Sequence, residues 1–244
     1  MNILSIGNSF SQDAQRYLHQ IAKADDMDIR CFNLYIGGCS LSEHYRNMLS
    51  EERAYTLEMN GSSTGFSVAL KEALLNREWD VITVQQVSSQ SPNYDTYQPY
   101  LNELVGYIRK FTLKAKIAIH QTWAYEQGSA RLNDELNYGD YKQMLDDIVK
   151  SYQKAAECIK ADYIIPSGEV FSAMLESGIE KVHRDTFHAK LGIGRYALGL
   201  IWYKTLTGND ILENTFCEFD EEVSVAEIAI AKKCVQDVAN RYKI

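Results

Sequence analysis

Short apolar runs alternate with longer amphipathic ones along the whole chain. Residues 3–6, 29–36, 81–85, 116–120 and 163–166 read as buried strands, rich in Ile, Val and Leu. Apolar positions recur at helical spacing over residues 12–24, 41–49, 66–76, 97–111, 138–160, 168–177, 189–206 and 223–242. "EMNGSST", around Asn60-Gly61, reads as a turn within the long second crossover, with room for a small hairpin. This alternation predicts an α/β fold. The expected form is a three-layer α/β/α sandwich on a five-stranded, mainly parallel, doubly wound (flavodoxin-like) sheet. No repeat and no Gly/Ser/Pro-rich linker divides the 244 residues, so one domain over 1–244 is expected.

By analogy with other five-stranded doubly wound sheets, the strand order should be 2-1-3-4-5, reversing between the first and third strands. Ligands bind outside the carboxyl ends of strands at such a point. Residues 7–11 and 85–91 fall there, with "IGGCSL" after the second strand alongside. The late loop "VHRDTFHAK" precedes the helix after the last strand and can fold back over the same rim.

Charge and cysteine usage narrow the partners. With 25 basic and 33 acidic residues, the net charge is −8, which argues against nucleic acid and favours a small-molecule partner. No apolar run reaches the length of a membrane span. Met1-Asn2 leads straight into the first strand without a basic n-region or cleavage site, so a cytoplasmic location is expected. Cys31, Cys39, Cys158, Cys217 and Cys234 are scattered, with no CxxC pair. That suits reduced, mostly buried thiols rather than a disulfide framework or a zinc site.

The first rim segment, "NILSIGNSFSQDAQRYL", stops a strand at Gly7-Asn8-Ser9 and enters a helix at once. Two readings of Ser9 are open. It can cap the helix in a box with Gln12, or it can be a nucleophile presented beside free helix N–H groups. A nucleophile needs a base. Of His19, His44, His120, His183 and His188, the last stands out because Asp185 lies three residues before it. That spacing lets the carboxylate hold one ring nitrogen while the other faces Ser9. The rival readings are a helix cap at Asp185, or a metal site from His183, Asp185 and His188 that matches no zinc signature.

Together these blocks resemble the SGNH/GDSL hydrolases. That family carries Gly-Asp-Ser after the first strand, a glycine after the second, Gly-x-Asn-Asp after the third and Asp-x-x-His near the C-terminus. "IGNSFS", "YIGGCSL" and "RDTFH" match in order and approximate spacing from Asn2 to about Gly208, with Asn8 in place of the usual aspartate. The chain looks most like a domain-of-unknown-function branch of that superfamily. The resemblance implies Ser9 as nucleophile, His188 as base and then acid, and Asp185 as its orienting partner. It implies an oxyanion hole from the Ser9 N–H, the Gly38 (or Gly37) N–H and a side chain of the third block. There the chain departs from the pattern: "VQQVSSQS" holds no asparagine, and Gln86, or else Ser89, is expected to supply the donor.

Ser89, His44, His120 and Trp123 are expected to line the substrate pocket, with Trp123 and Tyr125 as a stacking platform for a sugar ring. The alternatives are a helix-surface position for His44, a satisfied polar residue at the sheet edge for His120, and packing of the long loop against the core for Trp123 and Tyr125. The expected activity is a serine esterase without metal or organic cofactor, acting on a short-acyl ester, an acetylated carbohydrate being favoured. Two rivals stand beside it: a lipid-directed esterase or thioesterase with a long apolar pocket, and a non-catalytic glycan-binding module.

Overall fold

Strand β1 (Asn2–Gly7) is buried from Ile3 to Gly7 and lies at the centre of the sheet. In the computed structural model, which describes residues 1–244, it pairs in parallel with β2 (Arg30–Tyr35) on one side and β5 (Val81–Val84) on the other. Parallel strands β6 (Lys116–Gln121) and β7 (Tyr163–Pro166) continue the sheet beyond β5. Strands buried on both faces need continuous apolar runs, which is why "VITV" of β5 is buried at every position.

The sheet has seven strands, not five, in the order β4-β3-β2-β1-β5-β6-β7. The additions are β3 (Tyr55–Met59) and β4 (Ser62–Val68), an antiparallel hairpin turning at Asn60-Gly61 and extending the β2 edge. The five parallel strands among them keep the 2-1-3-4-5 order. β4 is polar, and it escapes a hydrophobicity reading because its residues are mostly exposed at an edge.

Helix boundaries move for local reasons. The segment 12–24 is two helices, α1 (Ser9–Gln15) and α2 (Leu18–Ala24), parted where the Tyr17 hydroxyl leaves to donate to the Leu191 carbonyl at 2.7 Å. Then come α3 (Leu41–Ser50) and α4 (Leu70–Leu75), the latter starting late because residues 66–68 belong to β4. α5 (Tyr100–Phe111), α6 (Tyr141–Ile159) and α7 (Ser167–Glu176) follow. α8 (Ile193–Thr207) begins after Ala189, which instead bridges to His183. α9 (Val225–Arg241) opens on a Ser224–Glu227 capping box.

α8 packs against α1, α2 and α9 on one face of the sheet, while α3 to α6 pack in succession on the other. Its sides are buried nearly all round, as expected of a helix inside a layer. One continuous core of 65 buried residues runs through the three layers. No helix is long and apolar enough to cross a membrane.

Candidate active site

β1 ends at Gly7 because a side chain there has no room. A Cβ on Gly7 would lie 2.2 Å from Ser11 Oγ and 2.9 Å from Ser11 Cβ. This close approach lets the chain turn directly from strand to helix. The cap of α1 is Asn8, not Ser9: Asn8 Oδ1 accepts from the Phe10 N–H at 3.0 Å, and Ser11 Oγ accepts from the Asn8 N–H at 3.1 Å. Gln12, expected as the partner in the box, bonds Glu58 instead. The register shift by one residue leaves the Ser9 hydroxyl free of capping.

That hydroxyl donates to His188 Nε2 at 2.9 Å, and His188 Nδ1–H donates to Asp185 Oδ2 at 2.7 Å. The tautomer is assigned from this pattern of partners. Asp185 Oδ1 accepts from the His188 and Phe187 amides at 2.8 and 3.2 Å, so the carboxylate both caps the turn and holds the ring. Burial pushes the Asp185 carboxyl up, but the His188 ring and these amides outweigh it and hold it down at about 2. Thr186, between them, sits at φ +85°, a strained conformation for a β-branched residue. Its carbonyl accepts from the Glu126 N–H at 2.8 Å, and the Phe187 carbonyl from Trp123 Nε1–H at 2.7 Å.

The loop is also bound to α1. Asp13, fully buried, accepts from Arg184 Nη1 at 2.9 Å, Arg195 Nε at 2.8 Å and the Ala189 N–H at 3.0 Å. One carboxylate on the helix that begins with Ser9 thus grips residues on both sides of Asp185 and His188.

Asn8 ties the remaining rim segments together. Its Nδ2 donates to the Cys39 carbonyl at 3.0 Å, and its Oδ1 accepts from Gln85 Nε2 at 2.8 Å. Gln85 Oε1 in turn accepts from His120 Nδ1–H at 2.8 Å, and His120 Nε2 accepts from the Ser167 hydroxyl at 3.1 Å. The Asn8–Cys39 bond sets the place of Gly38, whose φ of +66° suits a glycine. The Ser9 and Gly38 amides have no acceptor within the chain. An aspartate at position 8 cannot donate to Cys39. Asn8→Asp is therefore expected to cost about 1–3 kcal/mol of stability, from the carbonyl left facing a carboxylate. If the Gly38 loop matters to turnover, kcat should fall more than KM rises, and thermal melting with steady-state kinetics checks both.

Several expected pocket residues lie elsewhere. Gln86 is fully buried, with its Oε1 accepting from the Leu41 and Val87 amides at 2.9 Å and its Nε2 donating to Thr96. It anchors α3, and both of its Nε2 hydrogens go to the Thr96 carbonyl and hydroxyl at 3.0 and 3.1 Å, so none is left for a ligand. His44 is fully buried, with Nδ1 3.0 Å from the Tyr55 hydroxyl, and burial lowers its pKa to about 4. His120 lies inside the Asn8–Gln85 chain, and burial lowers it to about 3. Trp123 is no exposed platform: it is fully buried and stacked on Phe10 with ring centroids 3.9 Å apart. His183 Nε2–H donates to the Ala124 carbonyl at 3.0 Å and does not converge with Asp185 and His188 on a shared metal position. No group of three or more His, Cys, Asp or Glu side chains is placed to hold a metal ion.

A cavity of about 300 Å³ opens beside Ser9, lined by Gly38, Ser88, Ser89, Tyr125, Phe187 and Arg131 among others. Ser89 is the one expected substrate contact that faces it. Two larger hollows, of about 880 and 570 Å³, lie at the opposite, amino-terminal ends of the strands, remote from these groups.

Over residues 2–238 the sequence matches the family described as a domain of unknown function (DUF4886). The chain belongs to the DUF4886 family. A DUF4886 protein from Bacteroides uniformis is 33% identical, with a TM-score of 0.91, over 100% of this chain and 95% of that one. A candidate SGNH hydrolase from Slackia heliotrinireducens is 23% identical, with a TM-score of 0.61, over 84% of this chain and 98% of that one. An esterase from a Pseudoalteromonas species, solved with a phosphonate inhibitor, is 15% identical, with a TM-score of 0.52, over 85% and 97%. No curated protein matches. The DUF4886 chain thus has the fold of the SGNH/GDSL hydrolases.

Within this DUF4886 chain, Asp13, Gln85, Phe187 and Arg131 were not singled out from sequence. Asp13 carried a faint signal, an acid amid the apolar stripe Phe10, Ala14 and Tyr17. Gln85 and Arg131 carried none, since the residues they meet lie far away in sequence, and Phe187 passed unremarked beside His188 within "RDTFH".

Proposed function

We propose that this protein is a serine hydrolase of carboxylic esters, favouring short acyl groups. The single observation that carries the reading is the continuous chain from Ser9 Oγ through the His188 ring to Asp185, at 2.9 and 2.7 Å. In the proposed reaction Ser9 Oγ attacks the ester carbonyl while His188 Nε2 takes its proton. The carbonyl oxygen becomes an oxyanion and draws on the Ser9 and Gly38 N–H groups. Collapse breaks the bond to the alcohol, which leaves with the proton from His188. Water then loses a proton to His188 and attacks the acyl group; the bond to Ser9 Oγ breaks, His188 returns that proton to Ser9, and the acid is released.

The third donor falls to the 87–89 loop, where Ser88 and Ser89 line the cavity. A cavity of about 300 Å³ suits an acetyl-sized group better than a long acyl chain, so the lipid-directed alternative loses support. An acylated carbohydrate remains the proposed substrate, though buried Trp123 no longer offers a stacking surface for it. A location in the cytoplasm also stays a proposal.

The test pairs hydrolysis of p-nitrophenyl acetate with labelling by a fluorophosphonate. Turnover and a single adduct on Ser9 are expected. No turnover and no adduct would sink the esterase in favour of a binding module. The pH profile adds a further check. The carboxylate form of Asp185, depressed to about 2, is lost only as pH falls through that value. Above about pH 4 protonation of Asp185 should therefore add no proton to the slope of the acid limb of kcat/KM. A two-proton slope there would show Asp185 titrating as well.

A further inference from the structure

We propose that the cavity beside Ser9 selects esters carrying a carboxylate, which Arg131 reads; this rests on the esterase reading above. Arg131 is the only charged side chain lining that cavity. Its guanidinium stacks on the Phe187 ring, 4.1 Å from the centroid, and Phe187 lies 3.8 Å from the His188 ring, centroid to centroid. Phe187 therefore fixes the cation over the pocket and beside the reacting groups. Glu135 forms an i,i+4 ion pair with Arg131 at 3.7 Å, longer than a hydrogen bond, and the Tyr125 hydroxyl lies near the same guanidinium, so a ligand carboxylate would compete with a loose intrachain pair for the planar N–H fork.

Arg131 also opens a π-helical turn, Arg131–Glu135, a geometry that recurs at functional sites. A neutral acetyl ester has no use for this cation, because the developing oxyanion is served by backbone amides. A planar, singly charged carboxylate fits a lone guanidinium bidentately. A phosphate dianion would leave charge unmatched, since the cavity holds no second cation.

The experiment compares acids with their own methyl esters, which remove the charge at the cost of one added methyl group, and follows only release of the phenol so that cleavage of the methyl ester does not count. 3-Acetoxybenzoate carries the carboxylate on the leaving group, and p-nitrophenyl hydrogen glutarate carries it on the acyl group. For at least one pair, kcat/KM should favour the acid by about tenfold, as a partly exposed charge-assisted pair allows. Arg131→Gln should collapse that ratio toward one, and Arg131→Lys should keep part of it. Ratios near one in the wild type, or a preference untouched in Arg131→Gln, overturn the proposal.

Calorimetry on Ser9→Ala with the same four compounds reads recognition without turnover. Acid-selective binding that Arg131→Gln abolishes supports the carboxylate site even if no ester is cleaved, an outcome that defeats only the esterase reading. Ser9-dependent cleavage without acid preference defeats only the carboxylate site. Neither binding nor turnover overturns both.

Discussion

Ser9→Ala is expected to lower kcat for p-nitrophenyl acetate by about 10⁴-fold or more, the scale on which triad enzymes lose turnover with their nucleophile. The substitution removes the only hydroxyl that donates to His188 Nε2. His188 and Asp185 then keep their geometry but have no Ser9 proton to accept. Residual rate comes from the Ser9 and Gly38 amides acting on an attacking water. The fold should be indifferent, because Asn8 and Ser11 cap α1 and Ser9 does not. Melting within about 0.5 kcal/mol of the wild type is expected, as for substitutions away from core and caps. That pairing is what makes the result decisive. Wild-type turnover in Ser9→Ala would place the chemistry elsewhere, and a large loss of stability would make lost activity uninformative.

The second large effect is on stability. Asp13→Asn keeps the shape but removes the charge that faces Arg184 and Arg195, both mostly shielded from water. An amide N–H₂ turned toward a guanidinium repels where the carboxylate attracted. Removing one member of a buried pair costs about 3–5 kcal/mol. Here the lower end is expected, since Asp220 also engages Arg195 at 2.9 Å. For a chain of this size that corresponds to a fall in Tm of roughly 6–12 °C. Activity should fall further than the folded fraction explains, because Arg184 and Ala189 flank the loop that carries Asp185 and His188. Thermal melting together with kcat measured well below the transition separates the two. A wild-type Tm would show that the grip of α1 on the loop is energetically idle.

The parallel sheet was legible because its strands are buried on both faces, and continuous runs such as "VITV" announce themselves. The β3–β4 hairpin was only half legible: Asn60-Gly61 marked its turn, but β4 is an exposed edge and carries no apolar pattern. In the site, Ser9, Asp185 and His188 were readable from local spacing and the order of blocks. Gln86, His44, His120 and Trp123 were misplaced for a common reason. Each is polar or aromatic near the rim in sequence, but a polar side chain near a rim can as easily turn inward if the interior supplies partners. Gln86 found the Leu41 and Val87 amides, His120 found Gln85 and Ser167, and Trp123 found Phe10 and the Phe187 carbonyl.

By itself, then, the sequence determined the layer architecture, because that follows from periodicity. The parallel strand order came by analogy with other doubly wound sheets, and the grouping of Ser9, Asp185 and His188 came from local spacing together with the resemblance to the SGNH/GDSL blocks. Only the tertiary structure decided which residue caps α1, which rim side chains face the cavity and how Asp13 and Asn8 bind distant segments. Those outcomes depend on steric fit at Gly7 and on hydrogen bonds between residues tens to hundreds of positions apart. No local pattern encodes which partner a buried polar group will meet.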